Sequence, residues 1–177
     1  LKWYGQNDMM RNSSDYGFSR PHEGKNVRST FSYAVFQELR KANTTLTDLF
    51  AAAPSGTVNV VADGTADLAS VLTVSGNYFS GLRVGTLAGR VLLESDDVAG
   101  APPVAVITEA FWKRRFGGDP ATLGRVVTMN GTPVTIVGVQ STQFTTQQLG
   151  ATARDVTIPL AVSSQVNRVA SRACRTG

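Results

Sequence analysis

Chemistry-bearing residues are scarce in this chain. Its 177 residues include one histidine, His22, and one cysteine, Cys174. A lone cysteine excludes an intrachain disulfide and a cysteine-built metal site, and a lone histidine cannot build a multi-histidine one. Charged residues make up 17%, below the roughly 25% usual in soluble domains. Thr, Ser, Asn and Gln take their place, a mixture that favours strands and loops over long solvated helices. Long apolar runs are missing as well: none approaches the roughly 18 residues of a membrane span. The start LKWYGQNDMM lacks an initiator Met and the regions of a signal peptide, so the chain reads as excised from something longer. Neither G-x-G-x-x-G nor a P-loop pattern occurs, and no serine sits in a G-x-S-x-G elbow.

What is present suffices for a core. Apolar residues are 42% of the chain, and this length builds one ordinary domain, or one made of two small lobes. The net charge of +4 permits contact with phosphates or anionic lipid without requiring it. After a short strand at residues 1–4, the polar stretch to residue 30 reads as loop. In SYAVFQELRKAN, Phe31, Val35, Phe36, Leu39 and Ala42 recur at helical spacing, with Ser29, Thr30 or Ser32 as cap. A second helical turn is expected in LTDLFAAA, before Pro54.

Apolar alternation on both sides of Asp63-Gly64 predicts a hairpin, and a helical turn is expected at residues 78–82. ESDDVAGAPP reads as an exposed acidic loop, and VAVIT as a strand buried on both faces. EAFWKRRF then predicts a helix with Phe111, Trp112 and Phe116 on one arc, Lys113 and Arg114 facing away, and Arg115 back among the aromatics. Gly117 and Gly118 stop it, Asp119-Pro120 starts a short turn, and Asn130-Gly131 turns a second hairpin. DVTIPLA reads as an edge strand that tolerates Pro159, and the polar, basic stretch from Ser163 as frayed. Helices and strands follow without regular βαβ alternation, so the expected fold class is α+β.

The candidates for chemistry each have a plainer explanation. His22, with Glu23 beside it, lies in the polar N-terminal stretch, where adjacent side chains diverge. Asp96 and Asp97, with Glu94 nearby, are too few for a calcium loop. Asp48, Asp63 and Asp67 suggest caps and turns, and Cys174 lies in a polar tail between Arg172 and Arg175. Gly81, Gly85 and Gly89 have the spacing of a membrane-helix contact, but Arg83 and Arg90 intervene, so they read as turn glycines. A small hydrolase-like enzyme would need His22 and the Glu94–Asp97 loop in one pocket. A nucleic-acid-binding domain would need Lys113, Arg114 and Arg115 on one exposed face. Neither pattern is favoured, and no catalytic, cofactor or metal residue is assigned.

Three stretches in order, VSGNYFSGLRVGTLAGRVLLESDD, PVAVITEAFWKRRFGGDPATLGRVVTMNGTPVTIVGV and DVTIPLA, resemble the extracytoplasmic core domain of MacB-type ABC transporter permeases, in particular the orphan-permease branch. The likeness covers residues 31–161; residues 1–30 are less diagnostic, and 162–177 are an unmatched basic tail where the family continues with a strand and a helix returning to the membrane. The resemblance implies a single extracytoplasmic domain over 1–177, with a porter-like βαβ layer and an inserted, smaller strand-rich lobe. It implies a place between the first two transmembrane helices, on the outer side of the bacterial cytoplasmic membrane, and no enzyme activity in this domain. The implied partners are the parent permease helices, a cytoplasmic ATP-binding subunit or domain, a periplasmic adaptor or lipoprotein carrier, and a second copy in a homodimer, with no nucleic acid and no cofactor. The implied function is binding a partner or substrate and transmitting ATP-driven motion in export or in lipoprotein or peptide handling.

Overall fold

In the computed structural model, residues 3–4, 19–22, 25–28, 32–141 and 154–166 are described. The chain divides into two units, Leu1–Leu49 and Phe50–Gly177. In the first, helical spacing of Val35, Phe36, Leu39 and Ala42 produces α1 (Tyr33–Ala42). Ser32 is its cap, its hydroxyl accepting the Val35 N–H at 3.4 Å. Arg40 and Lys41 in the last turn meet the negative end of the helix dipole. Phe36 is buried and stacks with Tyr33 at 6.3 Å; Phe31 lies outside the described residues.

The N-terminal stretch corrects the loop expected there. Three strands, β1 (Trp3–Tyr4), β2 (Ser19–His22) and β3 (Lys25–Arg28), form an antiparallel sheet in the order β1-β3-β2. SRPH and KNVR carry almost no apolar alternation, so backbone pairing rather than a side-chain pattern makes them strands. Pro21 is tolerated because β2 is an edge.

The second unit opens with a long hairpin, β4 (Ala52–Ala62) and β5 (Thr65–Val74). Asp63 and Gly64 both take positive φ, 51° and 71°, as a tight two-residue hairpin turn requires. The helical turn expected in LTDLFAAA does not form. Asn43 Oδ1 accepts the N–H groups of Thr45 and Leu46, and Ala52 and Ala53 already pair with Val74 and Thr73 of β5. Local capping and a neighbouring strand outcompete the helix preference of alanine, and a bulge between Pro54 and Thr57 accommodates the proline.

Next come α2 (Tyr78–Gly81), β6 (Thr86–Gly89), β7 (Val104–Thr108) and α3 (Glu109–Phe116). The second hairpin, β8 (Val126–Met129) and β9 (Thr132–Gln140), turns at Asn130-Gly131 with φ 47° and 86°. Last are β10 (Val156–Pro159) and α4 (Leu160–Val166). The fold is α+β.

The sheet order is β6-β9-β7-β10-β5-β4-β8, and β8 pairs also with β9. The pairings therefore close a ring of six strands, β4-β5-β10-β7-β9-β8, with β6 appended to the far half of β9. All six ring strands contribute to one apolar cluster, including Val60, Val71, Ile107, Met129, Ile136 and Ile158. A second cluster, with Leu72, Val74, Tyr78, Phe79, Leu92, Val104 and Val106, lies on the opposite face. VAVIT is buried on both faces as expected, Ala105 and Ile107 entering the first cluster and Val104 and Val106 the second.

Two expectations for the end of the chain are corrected. DVTIPLA is no edge: all four residues of β10 are buried, between parallel β5 and antiparallel β7. Pro159 fits because it is the last residue, beyond the two positions at which β10 pairs with β7. Residues 163–166 are not frayed but complete α4, with Val162 and Val166 buried; 167–177, including Cys174, lie outside the described residues.

Phe111 is fully buried in the first cluster, whereas Trp112 and Phe116, expected on the same arc, are half-buried against it. Phe111→Ala is expected to cost about 3–5 kcal/mol, against less than about 0.5 kcal/mol for exposed Val126→Ala. Urea unfolding of the two variants compares them; equal losses would contradict the packing described.

Candidate functional site

The cations of α3 are turned onto the protein itself. Thr108 caps the helix, accepting the Phe111 N–H at 3.3 Å. Arg115 Nη2 donates to the carbonyls of Ala62 and Thr65, at 2.7 and 2.8 Å, gripping both sides of the first hairpin turn. Asp63 in that turn pairs with Arg125, and both guanidinium groups lie near the Phe116 ring, Arg115 at 5.6 Å and Arg125 at 5.9 Å. Arg114 is exposed as expected, yet it pairs with Asp155 at 3.3 Å and Asp67 at 3.8 Å and lies 5.1 Å from the Phe111 ring centre. Lys113 pairs with Glu109 one turn back at 2.6 Å. These acids offset the stripe of positive charge that phosphate binding would require.

The acidic loop is less exposed than its composition suggests. Glu94–Asp96 form a 3₁₀ turn, and Asp96 is buried. Arg90 reaches it with two nitrogens, Nη1 to Oδ2 at 2.6 Å and Nη2 to Oδ1 at 3.0 Å, while the Leu93 N–H donates to Oδ2 at 2.8 Å. Burial alone pushes the Asp96 carboxyl up; the bonds from Arg90 and the Leu93 amide outweigh it and hold it below the ordinary value. The bond to Asp96 in turn raises Arg90. Asp97 accepts the Gly76 N–H at 3.0 Å and the Ala161 N–H at 2.7 Å. Composition marks this loop as polar; nothing in it marks Arg90, four residues upstream of Glu94, or Gly76 as partners.

His22 lies on β2 in the first unit and Glu94–Asp97 in the second; Glu23 is outside the described residues. Asp96 and Asp97 are engaged in the bonds described above. Among the described residues, no three His, Cys, Asp or Glu side chains stand together as a metal site. No helix among them is long and apolar enough to cross a membrane. Tyr78, fully buried against Phe50 and Phe79, carries a hydroxyl without a hydrogen-bond partner, and burial raises its pKa.

In the first unit an open apolar groove of about 370 Å³ follows the end of α1, lined by Leu39, Ala42, Leu46 and Leu49. Asn43 shapes it, its amide donating to the Leu46 carbonyl at 2.7 Å while its Oδ1 holds two N–H groups. Leu46 and Leu49, an apolar pair three apart, are the sequence signal for this groove.

Asp96→Asn is expected to cost about 1–3 kcal/mol at pH 7. A carboxyl held down in the fold contributes stability that is present above about pH 3.9, its unfolded value, and lost as pH falls through the folded one. Urea titrations of both proteins from pH 7 to pH 2 should therefore converge at the acid end; a gap that stays constant would contradict the pairing.

No curated protein matches the sequence. Among solved structures, the periplasmic region of MacB from Actinobacillus actinomycetemcomitans superposes with TM-score 0.61 at 18% identity, covering 93% of this chain and 65% of that one. The extracellular domain of the noncanonic ABC-type transporter YknZ from Gram-positive bacteria gives TM-score 0.61 at 15% identity, covering 93% of this chain and 74% of that one. The chain thus spans a little under two thirds of the MacB region, and at these identities the likeness is one of fold. The model of the MacB-like periplasmic core domain matches residues 5–173. Nearly the whole chain is included in that match, and it belongs to the MacB-like periplasmic core domain family of ABC transporter permeases.

Proposed function

We propose that this domain binds a partner or substrate and transmits ATP-driven motion for an export permease, in efflux or in lipoprotein or peptide handling, without carrying out chemistry itself. In this reading the chain works as one extracytoplasmic module joined to the permease's transmembrane helices. ATP is hydrolysed by a cytoplasmic ATP-binding subunit or domain, an adaptor or lipoprotein carrier is met outside, and two copies pair in the assembled transporter.

The observation that carries the reading is how the second unit uses its charge. Asp63 with Arg125, Asp67 and Asp155 with Arg114, Asp96 with Arg90, and Arg115 with two carbonyls each tie segments together, and most of these ties span distant parts of the sequence. Crossing ties over a closed ring suit a body that moves as one, which is what relaying a displacement requires. The apolar groove beside α1 adds a surface of the kind that partners fill.

Leu46 is half exposed at that groove, so Leu46→Asp should leave folding intact. In the full-length permease with its ATPase, this change is expected to lower export about tenfold while ATP hydrolysis persists. Undiminished export at normal expression would overturn the docking role, and loss of both activities together would argue for a structural one.

A further inference from the structure

The strands β5 and β10 run parallel and adjacent, with Val74 opposite Pro159 as the last pair of their register. Beyond it the backbones part, one through Ser75, Gly76 and Asn77 into α2 and the other into α4. Asp97 spans the gap, its Oδ2 accepting the Gly76 N–H and its Oδ1 the Ala161 N–H, at 3.0 and 2.7 Å. Gly76 and Ala161 stand at matching places, each two residues past the final pair. One carboxylate thus replaces the rung that the diverging chains cannot make for themselves.

The loop that carries this carboxylate is seated closely. A methyl group on Gly76 would come within 2.6 Å of Glu94 Cα and of the Leu93 carbonyl oxygen. Arg90 holds the same loop through Asp96. At its other end α4 is held by the second hairpin: Asn130 Nδ2 donates to the Val166 carbonyl and Thr132 Oγ1 to that of Gln165, both at 3.1 Å. A helix of seven residues is too short to persist on its own. Its order rests on these end contacts and on the burial of Val162 and Val166.

We propose that Asp97 is a releasable latch: when the 94–97 loop is drawn off Gly76, α4 loses its N-terminal hold and opens as a unit while the six-stranded ring stays closed. The ring's own pairings run backbone to backbone and do not pass through Asp97, so the ladder of the sheet does not depend on the latch. Both amides lose their acceptor in the same event, which makes the opening all-or-none at this end. The latch belongs to the fold itself, whichever partner the domain meets.

Hydrogen exchange of the whole 177-residue chain, followed peptide by peptide, tests it. In Asp97→Ala, residues 160–166 are expected to exchange about tenfold faster or more, as loss of a charge-assisted bond implies, with residues 104–108 and 132–140 unchanged. Asp97→Asn, of equal size and with one oxygen still able to accept, should fall between the two. Unchanged exchange at 160–166, or acceleration spread evenly over the ring strands, would overturn the latch. Should Asp97→Ala fail to fold, Asp97→Asn decides by the same pattern.

Discussion

The sheet depends on one short strand, Val156–Pro159, which pairs with β5 along all four residues and with β7 at Val156 and Thr157. β10 joins two sets of strands drawn from different parts of the sequence, with β5 and β4 on one side and β7 and β9 on the other. Such a strand has no polar face to offer water, and all four of its residues are buried. Its entry is fixed by Asp155, whose carboxylate accepts the Ser70 N–H at 2.9 Å and the Ser70 hydroxyl at 2.8 Å and also pairs with Arg114. Its exit is fixed by proline, which has no N–H to leave unpaired, and by the turn into α4. A carboxylate thus stands near each end of the strand, outside the apolar stretch.

Where local chemistry decides, the sequence is readable. Asp63-Gly64 and Asn130-Gly131 adopt the turn geometry that these dipeptides favour, and Ser32, Thr108 and Asp119 cap the elements they precede. The misreadings arise where a distant partner decides. Pro159 suggests an edge until the pairing of β10 with β7 is seen to end at Thr157. Ala51–Ala53 suggest helix until β5 provides a longer neighbour. Ser19–His22 suggest loop because a small sheet built on backbone bonds needs no apolar alternation. The Arg115 contact was half visible: its placement among aromatics followed from helical periodicity, but the carbonyls it meets, about fifty residues away, did not.

The same division applies to charge. A net charge of +4 and a cluster of three cations on α3 invite thoughts of phosphate. In the fold these cations face Asp67, Asp155, Glu109 and backbone oxygens, so local composition overstates the field available to a partner. At 15–18% identity to its structural neighbours, little of the side-chain detail need be shared for the backbone path to agree. Turn chemistry and buried strand faces constrain that path more tightly than they constrain the identity of any one residue.

Ring closure also affects how copies of this domain coexist. A sheet aggregates through unpaired edges, whose free N–H and C=O groups act as templates for another chain. Among the described residues, the strand appended outside the ring is β6, only four residues long and ending in glycine with a register shift against β9. An edge so short and irregular is a poor template. The second unit therefore offers the sheet of another copy little to pair with.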